Sequence, residues 1–336
     1  MKRTLIGLSA LWLTAPSARA AGFDSKTMVD SLPGREIERP LVIGKGWLEL
    51  GLGADFKEAT GQWGPEGEKI DWRDGATFTY NTQRVDLRYG ISRRFELYGR
   101  FKTHYVRLTN EQLDTETDQF GMGDPNFGLK YEAFRSAGPL TSVILFTNYK
   151  GPAANESPGN YVGGPSTFSS FVLTTGTADW EMGARGKHQV GPLALSLGAA
   201  YVYRFSDVTQ YAIETELNQF NMRVKPGNLT KVDADLMLQL GPIAVNGGAL
   251  FTVRDVTRIG ASSAGFFPAK NLRTEQGSDG VAVDAMAGLT LHASRRLDLI
   301  AGALLPVQGE DLMYFPIEDL HPTRGNTYSG TIEFRY

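Results

Sequence analysis

The side chains best suited to acid–base or metal chemistry are four histidines, His104, His188, His292 and His321. No two have metal-ligand spacing. The chain also lacks a His-Glu-x-x-His helix, a Gly-x-Ser-x-Gly elbow and a glycine-rich phosphate loop. With no cysteine, thiolate metal sites and disulfide scaffolds are excluded. No cofactor motif, metal site or catalytic constellation is therefore expected. What remains is charge: Arg88, Arg100, Lys102, Lys130, Arg185 and Arg204 recur at alternate positions within apolar segments. Cations spaced in this way attract carboxylate or phenolate groups without making or breaking bonds, so they are the candidate solute contacts.

The elements that carry these cations share a period of two. In "NTQRVDLRYGISRRFELYGRFKTHY" (81–105), Val85, Leu87, Tyr89 and Ile91 alternate with Arg84, Asp86, Arg88 and Gly90. After the turn at Ser92–Arg94, Phe95, Leu97, Gly99 and Phe101 alternate with Glu96, Tyr98, Arg100 and Lys102. That pattern is a β-hairpin with one apolar and one charged face. The Ser-Arg-Arg turn returns at 294–296, and Gly-Pro turns stand at 138–139, 191–192 and 241–242. The short turns recur about every 50 residues, each between two segments of about ten residues.

Counting outward predicts twelve strands near 45–56, 79–91, 94–105, 121–133, 140–150, 178–190, 193–206, 230–240, 242–253, 281–292, 295–306 and 327–336. The short turns fall on one side, and six long connections, 57–78, 106–120, 151–177, 207–229, 254–280 and 307–326, fall on the other. The expected fold is all-β: a transmembrane antiparallel up-and-down barrel with short periplasmic turns and long extracellular loops. Apolar faces such as Leu193, Leu195, Leu197 and Tyr201 then meet lipid. The faces with Asp124, Lys130, Glu181, Arg185, Asp233 and Arg335 line a lumen. The segment 141–150 is apolar on both faces and fixes its register least.

The front end agrees with export. Residues 1–20 combine Lys2 and Arg3, an apolar run from Leu5 to Leu13, and a closing Ala18-Arg19-Ala20, the pattern of a cleaved signal peptide. Cleavage takes Lys2, Arg3 and Arg19 from 34 basic residues, leaving 31 against 37 acidic ones and a formal charge of −6. An acidic product of this kind is not expected to bind nucleic acid. Residues 21–44 read first as a periplasmic extension, with a small internal plug as the other arrangement, and 45–336 form the barrel.

At "GMGDPNFGLKYEAF" (121–134), a Gly-x-Gly-Asp followed by a run containing Gly-Leu-Lys-Tyr resembles the meta-pathway phenol-degradation outer-membrane family. "LRYGISRRFELYGRF" (87–101) is similar to that family's Arg-Tyr-Gly, turn, acidic-Leu pattern, and the resemblance is clearest over 80–150. It implies a transporter-like barrel that passes small, often aromatic, compounds, and it supplies no site residues.

The expected function is passive passage of small solutes, aromatic or hydrophobic compounds among them, through a polar lumen in the outer membrane of a Gram-negative bacterium. Phe266, Phe267, Tyr314 and Phe315, in the apolar parts of two long loops, are candidate ring contacts at the mouth. Expected partners are outer-membrane lipid, lipopolysaccharide, the solute and the barrel-assembly machinery. Two other classes fit the pattern. One is a lipid-acting hydrolase using His104 near the outer rim; the other is a closed structural or adhesion barrel working through its loops. Tyr328, Ile332, Phe334 and Tyr336 lie on the apolar face of the final segment and resemble the assembly signal of bacterial barrels. Deleting Phe334–Tyr336 is expected to lower the amount of heat-modifiable barrel in outer-membrane fractions before any transport property changes.

Overall fold

The structure, a computed structural model, describes residues 35–64, 66–72, 75–110, 115–136, 141–153, 159–160, 177–212, 219–261, 272–274, 278–310 and 323–336. Twelve strands form the wall: β1 (Leu48–Trp63), β2 (Ala76–Gly90), β3 (Phe95–Asn110), β4 (Asn126–Arg135), β5 (Thr141–Lys150) and β6 (Asp179–Val190) are the first half. The second half is β7 (Leu193–Arg204), β8 (Leu229–Leu240), β9 (Ile243–Arg254), β10 (Gly280–Ser294), β11 (Leu297–Gly309) and β12 (Thr323–Arg335). Each strand pairs antiparallel with the next. β12 returns to β1 in a register running from Glu49↔Arg335 to Gln62↔Thr323, which closes the ring. Closure leaves the wall no free edge, as hydrocarbon surroundings require.

The period of two sorts side chains as expected. Leu52, Leu97, Leu197, Leu236, Leu289 and Ile332 are all more than 40% exposed, on the outer face. Glu49, Glu96, Asp298 and Arg335 are at most 5% exposed, on the inner face. A soluble sandwich would show the opposite sorting. The segment 141–150 takes the register with Ser142, Ile144 and Lys150 buried inward, paired opposite Lys187, Arg185 and Asp179 of β6.

Local turn chemistry sets the short-turn end. Gly191 and Gly241 have φ of 59° and 62°, the left-handed conformation required at the first central position of a two-residue hairpin turn, and each is followed by proline. In the Ser-Arg-Arg turns the serine hydroxyl accepts backbone N–H groups: Ser92 from Arg94 and Phe95 at 3.1 Å, Ser294 from Arg296 at 3.2 Å.

At the other end the strands depart from expectation. The stretches 57–63 and 76–78, placed in a loop by the sequence, continue β1 and β2, and 106–110 continues β3. A separate strand, Thr115–Met122, pairs with the upper half of β3, while β4 pairs with its lower half. The strand expected from 121 therefore begins at Asn126, after a break at Gly123–Pro125. The physical reason is an inversion of the alternation. Above about Val85 the outer face turns polar (Glu58, Thr60, Gln83, Asn81) while the inner face turns apolar, with Ala59, Trp63, Phe78 and Val106 buried. Backbone pairing continues past the level where outer apolar positions stop, so the hydropathy signal ends before the strand does. Five short strands beyond the rim (Gly159–Asn160, Asp207–Ala212, Gln219–Lys225, Arg258–Ala261 and Arg273–Thr274) form a second sheet.

The segment from Arg35 to Trp47 crosses the lumen at the short-turn end. It contains one 3-10 turn at Glu36–Glu38, and Ile37 and Val42 are fully buried. Its last turn rests on β2: Gly46 donates to the Gly90 carbonyl at 2.7 Å, and Gly90 donates to that of Trp47 at 3.0 Å. A Cβ on Gly90 would lie 2.0 Å from the Gly44 carbonyl oxygen. Gly90→Ala is therefore expected to lift this turn away from the wall. Trypsin should then cleave after Lys45, within that turn, faster than in the parent protein, at an unchanged yield of folded barrel.

Candidate functional site

Three inner-face regions follow one another along the tube. At the short-turn end, the crossing segment is held by side chains from widely separated strands. Gln239 of β8 accepts from the Glu36 backbone N–H at 3.1 Å. Lys187 of β6 donates to the carbonyls of Glu36 and Arg39 at 2.6 and 3.1 Å. Glu96 of β3 accepts from the Ile43 N–H at 2.7 Å, and Arg39 donates to Asp298 of β11 at 2.5 Å. Asp298 is fully buried and also accepts from Arg335 at 2.6 Å, while its other oxygen lies 2.8 Å from His292 Nδ1. Arg335 continues to Glu49 at 2.6 Å and Glu333 at 2.9 Å. Glu49 accepts from Arg88, and Arg88 and Lys130 both reach Glu96 at 2.8 Å. The cross-strand register sets Glu49 abreast of both Arg335 and Arg88, so one carboxylate bridges two strand pairs.

This chain of ion pairs decides what the region can hold. Glu36, His292 and Asp298 offer ligand atoms within 4.8 Å of one another. Two guanidinium groups already occupy the Asp298 carboxylate, so a cation entering there would meet their repulsion and would have to displace Arg39. The cluster is built to pin backbone and neutralise buried charge.

Above it lies a chamber of about 400 Å³ against one contiguous half of the wall, β10–β12 and β1–β3, which meet at the β12–β1 seam. Lys57, Arg84, Arg100 and Lys102 face it, against Asp55, Asp284 and the Asp86 that pairs with Arg84 and Arg100, an excess of one positive charge among the described residues in a chain whose formal charge is −3. Arg84 pairs with Asp55 and donates to Thr331 at 2.6 Å, and Arg100 pairs with Asp86. Leu304 and Pro306 supply an apolar side, and Tyr80 stacks on His104 with ring centroids 5.1 Å apart. The third region is a partial collar, apolar on β1–β3 through Ala59, Trp63, Phe78 and Val106 and charged on β5, β6, β7 and β9, where Lys150, Asp179, Arg204 and Arg254 are buried.

The candidate residues divide among these regions. Arg100 and Lys102 line the chamber. Arg88 and Lys130 belong to the ion-pair cluster, and Lys130 also lies 5.1 Å over the Tyr98 ring. Arg185 pairs with Asp233 on the far wall. Arg204 is buried near Asp179, which Lys150 also reaches at 2.7 Å. Phe266, Phe267, Tyr314 and Phe315 lie outside the described residues. Tyr328, Ile332 and Tyr336 are exposed on the outer face, with Phe334 half-buried in line with them. His104 is 1% exposed and faces the lumen, with Tyr80 and Thr82 hydroxyls at 2.8 and 2.9 Å from Nδ1. It therefore points away from the outer leaflet that a lipid hydrolase would attack.

Sequence reasoning missed Lys57 and Tyr80 of the chamber and Arg39 of the crossing segment, whereas Asp284 was read as lumen-facing and lines the chamber. Lys57 had been assigned to a loop. Arg84 was legible as an inward position, but nothing in the period of two shows which inward positions share a cavity.

Removing one partner from a buried ion pair typically destabilises by about 3–5 kcal/mol. Asp298→Ala removes a partner from two guanidinium groups and from His292 at once, and should show the larger loss. Arg39→Ala leaves Asp298 with Arg335 and His292 and should show the smaller one. Urea unfolding of barrels in liposomes measures both. An equal or reversed order would contradict a network centred on Asp298.

No protein-family model and no curated protein sequence matches the chain. Among solved structures it is similar to an outer-membrane channel from Pseudomonas putida F1, with a TM-score of 0.63 at 11% identity over 88% of this chain and 97% of that one. Looser likenesses are the translocator domain of the autotransporter NalP from Neisseria meningitidis (TM-score 0.44, 12% identity, 93% and 92% covered) and the NanC porin (0.41, 9%, 85% and 98%). At these identities the likeness is one of fold: an outer-membrane β-barrel.

Proposed function

We propose that this chain is an outer-membrane channel through which small solutes, aromatic compounds among them, diffuse passively along a polar lumen. The observation that carries the reading is the chamber of about 400 Å³ enclosed within the closed ring and lined by charged side chains. A barrel serving only as a scaffold has no need of such a space, since small barrels fill their interior with side chains. The similarity of fold to an outer-membrane channel is consistent with this reading. The segment Arg35–Trp47 narrows the periplasmic exit, because its contacts with β3, β6, β8 and β11 span the ring. The position of His104 beneath the collar favours a channel over a surface lipid hydrolase.

Planar-bilayer recording tests the proposal. The parent protein is expected to give small, stable conductance steps. A variant lacking Arg35–Lys45 is expected to give steps at least about twofold larger, because the charged rings that remain line a wider water path. Absence of conductance in both proteins, together with no solute entry into liposomes, would remove the channel reading.

A further inference from the structure

We infer that the chamber is a binding site for a small organic anion with an apolar body, such as a single-ring carboxylate. The inference rests on the channel reading and names the class of solute at the same site. Three features of the lumen converge on it.

The first is the sign of the lining. The chain as a whole is acidic, yet among the described residues the chamber sets four Lys or Arg side chains against three aspartates, Asp55, Asp284 and the Asp86 paired with Arg84 and Arg100. This surplus is local. On the opposite wall Arg185 faces Asp233 and Lys231 faces Glu181, one cation to each carboxylate. A low-dielectric cavity with unequal charge favours a counter-charged guest more strongly than the same groups would in water.

The second is the apolar side of the same cavity. Leu304 and Pro306 of β11 face it beside the cations of β1–β3, with Thr327 of β12 between Leu304 and Lys57. An inorganic anion or a short carboxylate gains nothing from that surface. A ring or a branched chain can cover it while its carboxylate stays among Lys57, Arg84 and Lys102. Pockets that combine apolar contact area with a few converging polar groups select both shape and orientation.

The third is the apolar part of the partial collar beside the chamber. On β1–β3 the inversion of the alternation puts Ala59, Trp63, Phe78 and Val106 on the inside at the extracellular end, while Lys150, Asp179, Arg204 and Arg254 are buried at the same end of β5, β6, β7 and β9. An amphiphile of ring size moving along β1–β3 gains apolar contact there and a counter-charge in the chamber.

Titration calorimetry on the detergent-solubilised, full-length barrel tests the inference without requiring conduction. The probes are benzoate, benzyl alcohol (the body without the charge) and acetate (the charge without the body). Benzoate is expected to bind at least tenfold more tightly than either of the others. Lys102→Gln should weaken benzoate severalfold and leave benzyl alcohol unchanged. Leu304→Thr should weaken benzoate and leave acetate unchanged. Heat-modifiable migration on gels verifies that both variants fold. Equal affinity for the three probes, or benzoate binding untouched by both substitutions, overturns the inference even if the barrel conducts. Benzoate binding in a barrel that passes no current would keep the site and remove the channel.

Discussion

Everything in this molecule depends on closing a ring of backbone hydrogen bonds. β12 must meet β1, so that no peptide group is left unpaired against hydrocarbon. A closed sheet has two faces and nothing else, so each side chain is assigned to lipid or to lumen by the parity of its position. That assignment forces Glu49, Arg88, Glu96, Asp298 and Arg335 into a confined interior, where each must find an opposite charge. The ion-pair cluster at the short-turn end follows from the fold rather than decorating it. The crossing segment uses the same charges, with Arg39 and three backbone groups meeting side chains that the ring has already turned inward.

The interior is consequently graded along its axis. Balanced charge dominates where strands are linked by short turns. Unbalanced charge beside apolar surface follows at mid-height, and the extracellular end is apolar on β1–β3 and charged on β5, β6, β7 and β9. One alternating sequence produces all three because the outer face has to change from apolar to polar as the wall leaves the membrane. The inner face changes in the opposite sense. The strand does not end where the bilayer does, and the part that stands in water resembles a small soluble β-structure with its own packed interior.

Much of this was legible in the sequence, and the remainder was illegible for identifiable reasons. All twelve wall strands, the side carrying the short turns and the inward parity of residues such as Arg88, Lys130 and Glu333 follow from the period of two and from Gly-Pro and Ser-Arg-Arg turns. Strand ends were misplaced at 57–63, 76–78 and 106–110, because the outer positions there are Glu58, Thr60 and Arg107, which read as loop. The chamber was legible only in part. Arg100 and Lys102 were singled out by charge, yet Lys57 lies in a stretch that reads as loop, and Leu304 joins them only through the closure that brings β11 and β12 round to β1. The position of Arg39 depends on contacts more than 250 residues away along the chain, for which a local pattern holds no signal.

The crossing segment runs into β1 without a linker, since Trp47 is followed directly by Leu48, whose backbone pairs with Tyr336 at the seam. A segment tied this closely to its own receptor surface behaves as an intramolecular ligand. Its effective concentration at the mouth is set by geometry and does not fall when the protein is diluted. Losing one contact, such as Arg39 with Asp298, lets the segment move without letting it diffuse away, and it can return on the timescale of local motion. Under the proposed channel function, a solute leaving by this route would compete with a tethered rival that is always present, and passage through each mouth would be set by how often its own segment lifts.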